Sequence, residues 1–165
     1  MRTRWLLVVS GIAGLLILGA AFVVDRGASV VVRDDGGGVV SRSPLPDSGR
    51  FEIEYMHSYY ENPAVEHFST GPRGAFELVG ISSPSEAVLD YYELEGRKVA
   101  DGEWMRLVPG ETQRFEELPL IGTATGRKTL VLPDRRVPLF AEDGEPVHLT
   151  LWVEEDTLVT EVLGS

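Results

Sequence analysis

From Ser29 to Val153 no apolar pattern holds a helical period, and a turn signal recurs roughly every ten residues. That cadence confines the chain to short strands, because runs this brief cannot complete the turns over which a helix buries a stripe. The candidate strands are Ser29 to Arg33, Val39 to Arg42, Phe51 to Met56, Ala75 to Ile81, Arg97 to Ala100, Glu103 to Leu107, Gln113 to Leu118, Lys128 to Leu132, Val137 to Phe140 and Val147 to Val153. Two alternate cleanly. Phe51, Ile53 and Tyr55 oppose Glu52, Glu54 and Met56, and Val147, Leu149, Leu151 and Val153 oppose His148, Thr150 and Trp152. Asp101-Gly102 suits a two-residue hairpin loop, and Asp34 to Gly38 a longer one. Leu89 to Leu94 reads as strand or loop. The expectation is all-β: a single antiparallel sandwich- or barrel-like domain behind one N-terminal transmembrane helix.

The helix is read from Trp5 to Val24, a stretch of 20 residues without a charge and with Ser10 as its only polar side chain. At about 1.5 Å per residue it spans a bilayer's hydrocarbon core. Arg2 and Arg4 precede it, which places residues 1–4 in the cytoplasm and the remainder outside. A cleaved signal peptide, leaving a secreted domain, is the alternative, with Leu6 to Leu18 apolar and Gly19-Ala20-Ala21 at the cleavage point. The apolar run continues through Phe22-Val23-Val24, which favours an uncleaved anchor. Residues 25–50 then read as a tether, Gly27-Ala28-Ser29, and a first hairpin. Residues 51–153 form the β core, and 154–165 a last edge strand or tail.

Composition excludes several classes. Without residues 1–26, which hold Arg2, Arg4, Arg26 and Asp25, the 15 basic and 26 acidic side chains become 12 and 25, a charge of −13. Such a surface repels phosphate backbones, so nucleic acid is not an expected partner. With no cysteine there is no disulfide, thiolate metal site or thiol nucleophile. Gly36-Gly37-Gly38 lacks the helix and lysine of a phosphate loop and reads as a turn.

The chemistry concentrates between Phe51 and Phe68, FEIEYMHSYYENPAVEHF. The pattern F-x-I-x-Y-x-H-S followed by P-x-x-E-x-F, on Phe51, Ile53, Tyr55, His57, Ser58, Pro63, Glu66 and Phe68, resembles a family of small exported bacterial and archaeal proteins called domain of unknown function 1850. Weaker echoes are Asp101-Gly102-Glu103-Trp104, Leu118-Pro119-Leu120 and Leu130-x-Leu132, so the likeness covers most of residues 28–153. It breaks after Ile81, where Ser82-Ser83-Pro84-Ser85 stands in place of a Gly-Ala-Gly-like stretch. The resemblance implies an accessory role beside tripartite, ATP-independent uptake systems, with transporter subunits or an exported solute-binding protein as partners. It implies no activity.

His57, Ser58 and Glu66 are the candidate ligand- or partner-binding residues. Pairing of the Phe51 strand with a second short run carrying Glu66, His67 and Phe68, about the Tyr59 to Ala64 connection with its midpoint near Glu61-Asn62, sets His57 opposite Glu66 at about 4.5–5.5 Å between Cβ atoms. Such a pair equally serves to satisfy a half-buried imidazole and set the hairpin register, as in a structural envelope protein. A hydrolytic or metal-dependent enzyme using His57 and Glu66 is a third reading. Ser58 adjoins His57 on a strand and so points to the opposite face, and no G-x-S-x-G elbow occurs. A zinc site would need His57, Glu66 and His148, at no recognised spacing, and His67 points away from Glu66. No catalytic residue, metal or cofactor is expected. Tyr59, Tyr60, Tyr91 and Tyr92 would line a groove or cover a core edge.

Overall fold

The computed structural model describes residues 22–161, with side chains for 27–156. Its strands are β1 (Phe22–Asp34), β2 (Val39–Pro44), β3 (Arg50–Met56), β4 (Pro63–Thr70), β5 (Phe76–Ser83), β6 (Gly96–Asp101), β7 (Trp104–Pro109), β8 (Gln113–Phe115), β9 (Glu117–Gly122), β10 (Thr129–Leu132), β11 (Arg135–Pro138) and β12 (Val147–Glu161). One short helix, α1 (Glu86–Tyr91), follows β5 among the described residues. The smaller sheet runs β2-β1-β12-β9, and the larger β11-β10-β3-β4-β5-β7-β6 with β8 on β5. Every pairing between them in the described residues is antiparallel. The all-β expectation holds.

The two sheets close on each other. Val30, Val32, Leu149 and Leu151 of the smaller sheet share one core with Phe51, Ile53, Phe68, Phe76, Ile81 and Leu130 of the larger. Both clean alternations send their apolar residues inward, because a one-residue slip would exchange core and solvent faces along a whole strand. A bulge interrupts β4–β5: His67 pairs with Gly80 but Phe68 with Leu78, leaving Val79 over. Beyond it β5 changes partner, from β7 at Ile81–Ser83 to β8 at Phe76–Leu78.

Several local expectations give way to long-range pairing. Gly27, Ala28 and Ser29 are not a tether; they lie within β1, opposite Asp156, Glu155 and Glu154. Residues 154–161 extend β12 instead of starting a new strand. Neither fact is visible locally, since each half supplies the other's backbone partners across the whole domain. The expected anchor lies outside the described residues up to position 21, while the backbone of Phe22–Val24 already belongs to β1. Among the described residues no helix is long and apolar enough to cross a membrane.

Leu89 to Leu94 is neither strand nor loop throughout. Helix α1 occupies Glu86–Tyr91 and buries Val88 and Leu89. With so few residues it has no period to detect, and packing against β5 and β7 stabilises it. The hairpin of β6 and β7 closes one residue later than expected. Asp101 pairs with Trp104, so Gly102-Glu103 are the loop, with glycine at φ 63° first, as in a type II′ turn.

Candidate functional site

Strands β3 and β4 pair with Met56 opposite Pro63 and Ile53 opposite Glu66. His57 therefore does not face Glu66. The His57 N–H donates to the Asn62 carbonyl at 2.9 Å and the Glu61 N–H to the His57 carbonyl at 2.8 Å, closing the loop over Ser58 to Glu61. Glu61 takes the left-handed conformation, φ 51°. Pro63, expected in the turn, is instead the first residue of β4, a position a strand tolerates because one missing N–H at its end costs no central ladder bond. Moving the midpoint of the turn back shifts the whole register.

The corrected register makes Glu66 more unusual. Inward-facing β4 positions are Ala64, Glu66 and Phe68, and its cross-strand partner Ile53 is fully buried. A carboxyl group thus occupies a core-facing slot. The Tyr92 hydroxyl donates to Glu66 Oε1 at 2.7 Å, and the Tyr55 hydroxyl is bonded to that of Tyr92. Since Tyr92 donates its proton to Glu66, Tyr55 donates to Tyr92, and the relay runs in one direction. Burial pushes Glu66 above the usual carboxylate range, while the Tyr92 hydroxyl and the Lys128 charge pull it back part-way. Burial and the Glu66 charge likewise raise both phenols.

Glu66 lines a cavity of about 530 Å³ where the β3–β4 loop, α1 and the β9–β10 connection converge at one end of the sandwich. His57, Ser58, Tyr55, Tyr92 and Lys128 line it too. The three residues singled out from the sequence are thus brought to one pocket, by a different route from the pairing expected. His57 is buried, edge-on to Tyr91 with ring centroids 4.6 Å apart. Its Nδ1 accepts the amide N–H groups of Tyr59 and Tyr60, both at 3.3 Å. That leaves the proton of the neutral ring on Nε2. Burial, and secondarily Lys128, holds the imidazole below its ordinary value, and protonating Nδ1 would set a third donor against two amides. Ser58 is exposed at the rim.

Residue-type reasoning passed over Lys128 and Tyr55 and placed Tyr92 only as groove or core edge. Lys128 Nζ lies 4.8 Å from the Tyr55 ring centroid, a cation held over an aromatic face. The available signal was the inward slot itself: the alternation Ala64, Glu66, Phe68 sets an acid among core positions. His148 sits exposed on β12 opposite Ile121, and among the described residues no three potential ligands cluster around a metal position. His67, as expected, points away from Glu66, to the outer face of the larger sheet.

No family model, curated protein or solved structure matches this chain. The pocket's own geometry carries the functional argument.

Proposed function

We propose that this chain is a membrane-anchored, extracytoplasmic accessory and binding domain of a tripartite-type, ATP-independent solute uptake system. The apolar stretch that begins at Trp5, up to the start of β1 at Phe22, holds it to the cell membrane, N-terminus inside, and the pocket of Glu66, His57 and Ser58 meets its ligand or partner. The observation that carries this reading is the desolvated Glu66 carboxyl, oriented by Tyr92 at the wall of a 530 Å³ cavity. A carboxyl with a raised titration range in a pocket with convergent donors is the usual signature of a binding site. Glu66 receives a donor from the ligand, and Lys128 with His57 Nε2–H receives an acidic group. The matching ligand is a small solute with both an amino or hydroxyl group and a carboxylate. The apolar stretch from Trp5, the acidic domain and the likeness of the Phe51 to Phe68 motif support the transporter association.

The test is a melting series of the full-length protein against a panel of small amino and hydroxy carboxylic acids, beside co-purification from native membranes. Wild type gains melting temperature with at least one solute or retains transporter subunits, and Glu66→Gln loses the effect while folded. If neither solute nor transporter component binds wild type, the reading fails.

Glu66→Gln also has a defined pH signature. The folded-state value lies above the ordinary 4.5, so the stability contributed by the neutral carboxyl is complete below about 4.5 and lost as pH rises through the raised value. Glutamine keeps an acceptor for Tyr92 without a charge. Melting temperatures from pH 4 to about 8 are expected to show the variant gaining on wild type as pH rises. Parallel curves would mean that Glu66 ionises as freely as an exposed carboxylate.

A further inference from the structure

On the outer face of the larger sheet, three strands bring together a serine, a histidine and a glutamate that the Glu66 pocket does not use. Glu52 of β3 lies directly opposite His67 of β4, and His67 Nδ1 is 2.8 Å from Glu52 Oε1. Ser82 of β5 pairs with Val65, one diagonal step from His67, and its Oγ is 2.8 Å from His67 Nε2. The tautomer follows from the partners. A carboxylate only accepts, so Nδ1 carries the proton and donates to Glu52; Nε2 is then the acceptor, and the Ser82 hydroxyl donates to it. The order of roles is nucleophile, base and orienting acid.

Two features make this more than a satisfied imidazole. The first is a cavity: Glu52, His67 and Ser82, the serine itself buried at 7% exposure, line a concavity of about 730 Å³, whose walls include Met56, Val65 and Trp104. The second is a cation. Arg106 of β7 pairs with Ser82, and its guanidinium lies over Gly80, the residue opposite His67. A Cβ at Gly80 would come within 2.6 Å of Arg106 Nε and 2.9 Å of Nη2, so only glycine lets the guanidinium lie there. Among the described residues Arg106 forms no ion pair with a carboxylate.

We propose that Ser82 is the nucleophile of an ester-hydrolysing site, with His67 as general base and Glu52 as its positioning residue. Ser82 Oγ attacks the ester carbonyl carbon as its proton passes to His67 Nε2. Arg106 stabilises the negative oxygen of the tetrahedral intermediate. The bond to the alcohol oxygen then breaks, and His67 returns the proton to the departing alcohol. Water, deprotonated by His67, attacks the acyl-serine, releasing the carboxylic acid and restoring the serine hydroxyl. Met56, Val65 and Trp104 suit an apolar acyl group. Burial holds His67 below the ordinary imidazole value against the hydrogen bond that it donates to Glu52, so the ring is neutral, and able to accept, near pH 7. The charged groups that face it are Glu52 from β3, Arg106 from β7 and Asp101 from β6.

The experiment treats the full-length protein with a fluorophosphonate probe, maps the labelled residue by mass spectrometry, and follows hydrolysis of p-nitrophenyl butyrate. Ser82 is expected to carry the label, through a serine–phosphorus bond formed with loss of fluoride. Ser82→Ala should abolish labelling and turnover. His67→Gln should slow both by about a hundredfold or more. Glu52→Gln removes the group that holds a proton on His67, so the acid limb of the labelling rate should move to lower pH, which a purely structural Glu52 would not cause. Mapping the label on wild type needs no variant to fold. An unlabelled wild type, or a label at another serine that survives in folded Ser82→Ala, overturns the proposal and leaves the Glu66 pocket untouched.

Discussion

Phe68→Ala is expected to cost about 3–5 kcal/mol of unfolding free energy, the range for deleting a buried aromatic ring. Phe68 is 2% exposed and stacks on Phe51 at 5.0 Å between centroids, with the planes 13° apart. It also meets Phe76 edge-on at 5.7 Å and Phe115 at 6.2 Å. Phe76 in turn stacks on Phe115 at 5.6 Å, so the four rings form one block, and removing Phe68 takes away three ring pairs at once. The void cannot collapse easily, because Phe51, Phe68 and Phe76 sit on three paired strands whose ladders fix their spacing. Domains of this size are stable by only about 5–15 kcal/mol, so the loss is a large fraction of the total. Urea unfolding should show a lower midpoint with an unchanged slope, and Phe68→Leu, which keeps part of the volume, should cost less. A loss below about 1 kcal/mol would mean that the ring block does not hold the sheets together.

Gly122→Ala is expected to be of comparable severity, about 3 kcal/mol or more, for the opposite reason: too much matter where there was none. Gly122 ends β9, and a Cβ there would lie 1.7 Å from the Leu139 carbonyl oxygen and 2.8 Å from Val147 Cγ2. The obstacle is backbone and cannot rotate away. Leu139 is held from both sides, its side chain buried and its N–H donating to the Lys128 carbonyl at 2.8 Å. Relief therefore requires β9 to separate from the segment after β11, where the two sheets touch. Ile121 and Thr123, the neighbours of Gly122, line the Glu66 pocket, so ligand binding should weaken together with stability. Gly110→Ala is the matched comparison. Its Cβ would meet nothing closer than the Glu95 carbonyl oxygen at 3.6 Å, and the change should stay within about 0.5 kcal/mol. Denaturant melts of the two variants side by side decide the matter; equal stabilities would show that the β9 corner adapts.

What could be read from residue order was whatever a strand's period encodes. Side-chain direction alternates every residue, so Phe51 and Ile53, or Leu149 and Leu151, declared their faces without a partner in view. The same rule put Glu66 in line with Ala64 and Phe68 and sent His67 to the other side. Turn chemistry located most hairpins, although the Gly102-Glu103 loop and the loop before Pro63 were displaced, because proline and glycine mark a neighbourhood more firmly than a position.

Register and partnership lay beyond that local code. A shift of the β3–β4 midpoint exchanged a His57–Glu66 pair for Ile53–Glu66 and His67–Glu52. Helix α1 carries Tyr92 to Glu66 across 26 positions of sequence, and β5 carries Ser82 to His67 across 15. The all-β class and the inward faces follow from alternation, a property of each strand alone. The Glu66 pocket and the Ser82–His67–Glu52 relay exist only once strands and helix remote in sequence are packed together, because hydrogen-bond geometry between side chains depends on register, and register is a property of pairs.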